Sequence, residues 1–138
     1  MFRDRLNPLD TYDDFEIIER YRLSRQLIMR LYDEIGAELE PSFQRNHSIP
    51  GMLQIFCALR YYSSGSFYAV LGDGVGIHKY SVCRIVSRVT LALCRLANRN
   101  IKFPQRRQTL VDTKQGFHDI ANMPNVLGAI DGTLISIL

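Results

Sequence analysis

The first part of the chain carries apolar residues at the spacing of amphipathic helices. Asp13 to Tyr21 is predicted to form a short helix with Phe15, Ile18 and Tyr21 on one side. A longer helix is predicted from Arg25 to Leu39, with Ser24 as its N-cap. It should end at Glu40-Pro41, because the residue before a proline is held out of the α region. Its core-facing stripe consists of Leu27, Leu31, Ile35 and Leu39, with Ile28 and Tyr32 beside them.

The middle of the chain predicts a buried helix followed by two more helices. Ser48 and Pro50 mark a helix start, and the residues from Met52 to Tyr62 are apolar nearly all round. Such a pattern is typical of the central helix of a small bundle. A short helix follows from Phe67 to Leu71. A turn is then expected over residues 72–76, where three glycines adopt positive φ at little cost.

A long helix with two distinct faces is predicted from about Lys79 to Asn98. At about 100° per residue its apolar side chains fall within one narrow arc. These residues are Val82, Ile85, Val86, Val89, Leu93 and Leu96. Four arginines are expected to share the opposite face, namely Arg84, Arg88, Arg95 and Arg99. One side therefore suits a core, and the other suits an anion.

The last part of the chain changes character. Residues 101–104 predict an extended linker, and Thr109 is expected to cap a last helix that contains Phe117 and Ile120. Pro124-Asn125 predicts a turn. Residues 126–130 form a short apolar run of strand type, which leads directly to Asp131 and Gly132. The sequence thus predicts a helical region over residues 1–100 and a separate segment over residues 101–138.

The distribution of charge along the chain indicates what the long helix could bind. The net charge of the chain is only +3, but residues 74–111 contain eight Lys and Arg and no acid. Such a block creates a local positive field that attracts polyanions. The composition, with 46% hydrophobic residues, is that of a globular protein with a core, and no segment predicts a membrane span or a secretory signal. Three cysteines without a C-x-x-C pair are expected to be reduced and mostly buried, in a cytosolic or nuclear protein.

A short helix, a glycine-bearing turn and a long basic helix together predict a helix-turn-helix at about residues 66–98. We expect the start of the long helix to meet base edges in duplex DNA, through His78, Lys79, Tyr80, Ser81 and Arg84. Arg88, Arg95 and Arg99 are expected to reach phosphates. The alternative to this geometry is an ordinary helical hairpin with a solvated arginine face. Two functions without catalysis are also open: a helix-turn-helix DNA-binding module and a protein-interaction module.

Asp131 is the one candidate for catalysis. A carboxylate at the end of a buried strand is a suitable Mg²⁺ ligand, although a metal pair needs several carboxylates. From the residues alone, Asp-Gly between two apolar runs more often forms a simple hairpin turn than a metal site. The three histidines lack metal-ligand spacing, and the glycine segment at 72–76 is not followed by the Lys of a P-loop.

Several stretches of this sequence resemble one family. The segments Phe67–Leu71 and Gly76–Val86 are similar to the helix-turn-helix of the Harbinger transposase-derived nucleases, relatives of DDE transposases. Three further segments resemble the same family in the same order: residues 21–24, residues 101–104, and residues 117–133 with their Gly-Ala-Ile-Asp-Gly-Thr motif.

The resemblance implies a helical DNA-binding region followed by the first strand or strands of a truncated RNase H-like nuclease domain. Asp131 would be the first of three acids that bind catalytic metal, with Mg²⁺ as the expected ion, and the other two acids would lie beyond residue 138. The chain alone is therefore expected to hold no stable metal and to be inactive. Leu134 stands where the family usually has His. Duplex DNA, a Myb/SANT-like partner protein and a location in the nucleus or the cytoplasm are also implied.

Overall fold

The structure, a computed structural model, describes residues 7–41 and 48–130, except for the side chain of Asn98. These ranges are mainly helical, contain no strand, and divide into two compact units at Arg99–Asn100. The helices are α1 (Pro8–Thr11), α2 (Asp14–Tyr21), α3 (Arg25–Leu39), α4 (Gly51–Ser64), α5 (Tyr68–Val75), α6 (Lys79–Asn100) and α7 (Arg107–Ala121). None of the described helices is long and apolar enough to cross a membrane.

Helix α4 is the centre of the first unit. Every residue from Gln54 to Leu59 is buried, as the nearly continuous apolar run predicts. Helices α2, α3 and α5 pack against α4, and the ring of Tyr21 meets that of Phe56 edge to face at a centroid distance of 4.8 Å. Burial raises the pKa of the Cys57 thiol to about 11, which keeps it protonated at neutral pH. The expectation of mostly buried thiols is wrong for Cys94, which is exposed.

The start of α3 lies as predicted, but of the predicted face of α2 only Tyr21 is buried. The Ser24 hydroxyl accepts a hydrogen bond from the Leu27 amide, which is the expected N-cap. In α2 the buried residues are Ile17 and Tyr21, whereas Phe15 is 76% exposed and Ile18 is half exposed. An eight-residue helix with apolar side chains on two sides has two candidate core faces. The packing against α4 selects between them.

Two polar side chains fix how α3 runs into α4. One carboxylate oxygen of Glu40 accepts hydrogen bonds from the Tyr32 hydroxyl, at 2.8 Å, and from the Gly51 amide, at 3.0 Å. The buried Gln54 amide donates to the main-chain oxygens of Leu39 and Ile49, both at 2.8 Å. These bonds fix the C-terminal half of α3, which includes Glu34 and Glu38, against α4.

The second unit contains α7 and the segment after it. Residues 101–104 have no regular secondary structure, as predicted, and α7 begins at Arg107, two residues before the predicted cap at Thr109. No residue of α7 is buried, and Ile120 is 87% exposed. The predicted strand at residues 126–130 is not formed. A strand needs a neighbour for its backbone hydrogen bonds, and the described residues offer no second strand. Asp131 lies outside the described residues.

Candidate nucleic-acid interface

The connection between α5 and α6 is a three-residue turn, Gly76 to His78. Gly76 adopts the left-handed conformation with φ of 63°, and the Ile77 amide donates to the Gly72 carbonyl oxygen at 2.8 Å. This hydrogen-bond pattern is that of a Schellman motif at a helix C-terminus. The expected turn over residues 72–76 is therefore wrong in extent. Gly72 and Gly74 lie inside α5, and only Gly76 requires positive φ.

Gly72 has a steric role instead. It is buried, and a Cβ atom added there would lie 2.3 Å from the Ile77 carbonyl oxygen. A real Cβ cannot approach a backbone oxygen so closely, so only glycine lets the chain fold back at this point. We refer to α5, the turn and α6 together as the helical pair. Its geometry depends on this close contact between the end of α5 and the turn.

Helix α6 is held to the core by the predicted apolar stripe. Val82 and Val89 are fully buried, and Ile85 and Val86 are 5% exposed. Leu93 and Leu96 are partly buried against the same core. The hydroxyl groups of Tyr62 on α4 and Thr90 on α6 form a hydrogen bond of 2.6 Å. The stripe prediction is confirmed, and it fixes which sides of α6 face away from the core.

The first turn of α6 presents aromatic and cationic side chains to the exterior. The His78 carbonyl accepts hydrogen bonds from the amides of Ser81 and Val82, so His78 occupies the N-cap position. The rings of His78 and Tyr80 lie 5.2 Å apart between centroids, and the Lys79 ammonium lies 5.5 Å from the Tyr80 centroid. His78, Lys79 and Tyr80 are exposed, whereas Ser81 is half-buried.

The four arginines are exposed, but they do not form one free face. Arg84 has no ion pair within the described residues. Arg88 donates to the main-chain oxygen of Glu38 at 3.1 Å. Arg95 forms an ion pair with Glu38, and Arg99 forms one with Glu34. The arginine face therefore borders the buried stripe on the side of α3, and three of its four members contact that helix.

Glu34 and Glu38 are the residues that sequence reasoning missed. They lie four positions apart on α3, and Arg95 and Arg99 have the same spacing on α6. Spacing of this kind places two side chains on one helix face. It does not say which other helix lies beside that face, so the pairing appears only in the tertiary structure.

No metal centre is evident in the part of the chain that the structure describes. Residues 7–41 and 48–130 contain no group of three or more His, Cys, Asp or Glu side chains able to hold a metal ion. The predicted metal ligand Asp131 is not among them. The described chemistry is therefore that of a cationic, aromatic helix end and a set of arginines paired with acids.

Comparison with known proteins agrees with the resemblance seen in the sequence. A protein named "Putative nuclease HARBI1" from Xenopus laevis is 37% identical over 134 residues, which are 97% of this chain. Proteins of the same name from Rattus norvegicus and Homo sapiens are 38% and 36% identical over 128 residues. The chain is a homologue of the Harbinger transposase-derived nucleases.

The similarity to the Harbinger transposase-derived nucleases covers nearly all of this chain but little more than a third of each relative. The aligned part is 38% of the Xenopus protein and 36% of the rat and human proteins. No family model matches the chain, and no solved structure matches it. The comparisons thus show homology to one part of longer proteins, and they assign no role to an individual residue.

Proposed function

We propose that the helical pair is a helix-turn-helix that binds duplex DNA, with the start of α6 in the major groove. The observation that supports this proposal is the exposed first turn of α6. A tight turn projects its first residues, and Lys79, Tyr80 and Arg84 are all exposed there. Tyr80 and Arg84 lie four positions apart and share a face, while Val82 and Ile85 hold the other side to the core. An α-helix fits the major groove, which is about 12 Å wide.

The charges at this end of α6 fit the same partner. The first turn contains no acid, and the free amides of a helix N-terminus carry a partial positive charge. Lys79 and Arg84 add two full charges that are not neutralised by any described residue. Phosphates would be bound by these cations, while Tyr80 and His78 offer ring surfaces to base edges and thymine methyl groups.

Salt dependence tests the proposal directly. Purified residues 1–138 should bind a duplex oligonucleotide at ~50 mM salt, and a plot of log affinity against log salt should be linear with a slope of about −0.9 for each phosphate neutralised. Fluorescence anisotropy over a series of salt concentrations measures both quantities. Absence of binding at the lowest salt would contradict the proposal and favour a protein-interaction module.

For the whole protein we propose metal-dependent cleavage of DNA phosphodiester bonds, since the relatives are named nucleases. Asp131 is the proposed first metal ligand, with Mg²⁺ as the ion. When bound, such a metal pair polarises the phosphate and activates water. The contribution of the helical pair is to bind and orient the DNA. A Myb/SANT-like partner and a nuclear or cytoplasmic location remain predictions of the family resemblance.

The polypeptide of residues 1–138 is expected to show no nuclease activity by itself. Two-metal cleavage needs several carboxylates, and we expect the second and third acids beyond residue 138, as the family resemblance implies. A supercoiled plasmid incubated with the purified chain and Mg²⁺ should stay supercoiled. Nicking that disappears in an Asp131→Ala variant would contradict this prediction, whereas nicking that persists in the variant would indicate a contaminating enzyme.

A further inference from the structure

Two acidic side chains of α3 form ion pairs with two of the arginines of α6. Glu34 and Glu38 are spaced four positions apart, and so are Arg95 and Arg99. Arg95 pairs with Glu38 and Arg99 pairs with Glu34, as in an antiparallel ladder. The arginine side chains remain 66% and 65% exposed, and each glutamate is 42% exposed. The ladder is therefore at the surface, where an approaching polyanion meets it.

We propose that Glu34 and Glu38 limit non-specific DNA binding by competing with phosphate for Arg95 and Arg99. This inference rests on the proposed DNA-binding function of the helical pair. A guanidinium group binds a carboxylate and a phosphate through the same planar fork of donors. While the glutamates hold that fork, phosphate contacts are confined to the first half of α6.

The consequence concerns selectivity more than strength. Contacts to phosphate carry no sequence information and supply most of the non-specific affinity. The useful quantity for a DNA-binding protein is the ratio of specific to non-specific affinity, because non-specific sites are in vast excess. Neutralising Arg95 and Arg99 internally removes two non-specific contacts. It leaves unaffected the start of α6, where His78 and Tyr80 are proposed to meet base edges.

A purely structural role does not require this ladder. Exposed ion pairs add little to stability. Helix α6 is already fixed by the buried Val82 and Val89 and by the hydrogen bond between Tyr62 and Thr90. Its hydrogen bond from Arg88 goes to the main-chain oxygen of Glu38, so it survives a change of that side chain. Removing the two carboxylates is thus expected to leave the fold intact.

The decisive variant is Glu34→Gln combined with Glu38→Gln, measured against a duplex of random sequence. If the two arginines become available to phosphate, the salt slope should steepen by up to about 1.8, at about 0.9 for each phosphate neutralised. Affinity at ~0.1 M salt should then rise by roughly tenfold or more. The matched control is Glu19→Gln with Asp33→Asn. It changes the net charge equally but removes exposed acids that have no described ion pair.

Substitution of the arginines completes the test. Arg95→Gln with Arg99→Gln should leave the salt slope of the otherwise native chain nearly unchanged, and it should abolish the steepening when combined with the glutamate changes. An unaltered or weaker affinity in the Glu34→Gln, Glu38→Gln protein would overturn the inference, as would an equal gain in the control. If the native chain and the glutamate variant both fail to bind, the proposed function fails too. Binding by the native chain with an unchanged slope in the variant refutes the inference alone.

Discussion

Gly72→Ala is expected to lower the free energy of unfolding by about 1–3 kcal/mol, the usual cost of forcing an extra methyl group into a packed site. The added Cβ would lie 2.3 Å from the Ile77 carbonyl oxygen. That atom belongs to the backbone of the turn, so it cannot move aside as a flexible side chain would. Relief of the clash has to displace the turn that sets the direction of α6. We therefore expect DNA affinity to fall together with stability.

Gly74→Ala is the matched control for this prediction. It lies in the same helix, two residues away, and a Cβ there meets nothing within 4 Å. Alanine in a helix is more stable than glycine by about 0.5–1 kcal/mol, so this variant should be slightly more stable than the native chain. Urea unfolding followed by circular dichroism measures both. Equal stability changes in the two variants would show that close packing at Gly72 is unimportant.

Lys79→Gln combined with Arg84→Gln should reduce DNA affinity at ~0.1 M salt by one to two orders of magnitude, roughly tenfold for each phosphate that is no longer neutralised. The slope of log affinity against log salt should become shallower by about 1.8. Both side chains are exposed at the start of α6, and neither takes part in an ion pair among the described residues. Glutamine keeps much of the side-chain length and a high helix propensity, so stability should change little.

Arg22→Gln with Arg30→Gln provides the charge-matched comparison. Both arginines are exposed, lie outside α6 and have no described ion pair. This control removes the same net charge, so it measures the general electrostatic effect alone. Its salt slope should stay close to that of the native chain. If the affinity of the two double variants falls equally, DNA is bound by overall charge and not by the proposed start of α6.

The apolar patterns were sufficient for most of the helices, but not for every buried face. The stripe from Val82 to Val89 in α6 is continuous over several turns, so its buried side follows from sequence. Helix α2 is short and has apolar side chains on two sides. Its burial of Ile17 in place of Phe15 was settled by the position of α4. The strand expected at residues 126–130 failed for a related reason, since strands depend on partners that a local pattern does not supply.

At residues 72–76, too, the local pattern predicts one feature and the packing decides another. Three glycines in five residues correctly indicate a break between two helices, but they do not distinguish a glycine needed for its φ from one needed for its size. Gly76 is of the first kind, and Gly72 is of the second. The difference depends on the Ile77 carbonyl oxygen, which comes close to Gly72 only after the chain has folded back.

The basic helix itself was determined by the sequence: its length, its apolar stripe and its excess of arginine all follow from local composition and period. Tertiary structure decided which of those arginines remain available. Arg84 has no described ion pair, whereas Arg95 and Arg99 meet Glu38 and Glu34 on a helix more than 50 residues away in the chain. Helical period fixes the face on which a charge lies. Only the packing of α6 beside α3 fixes the opposite charge that it meets.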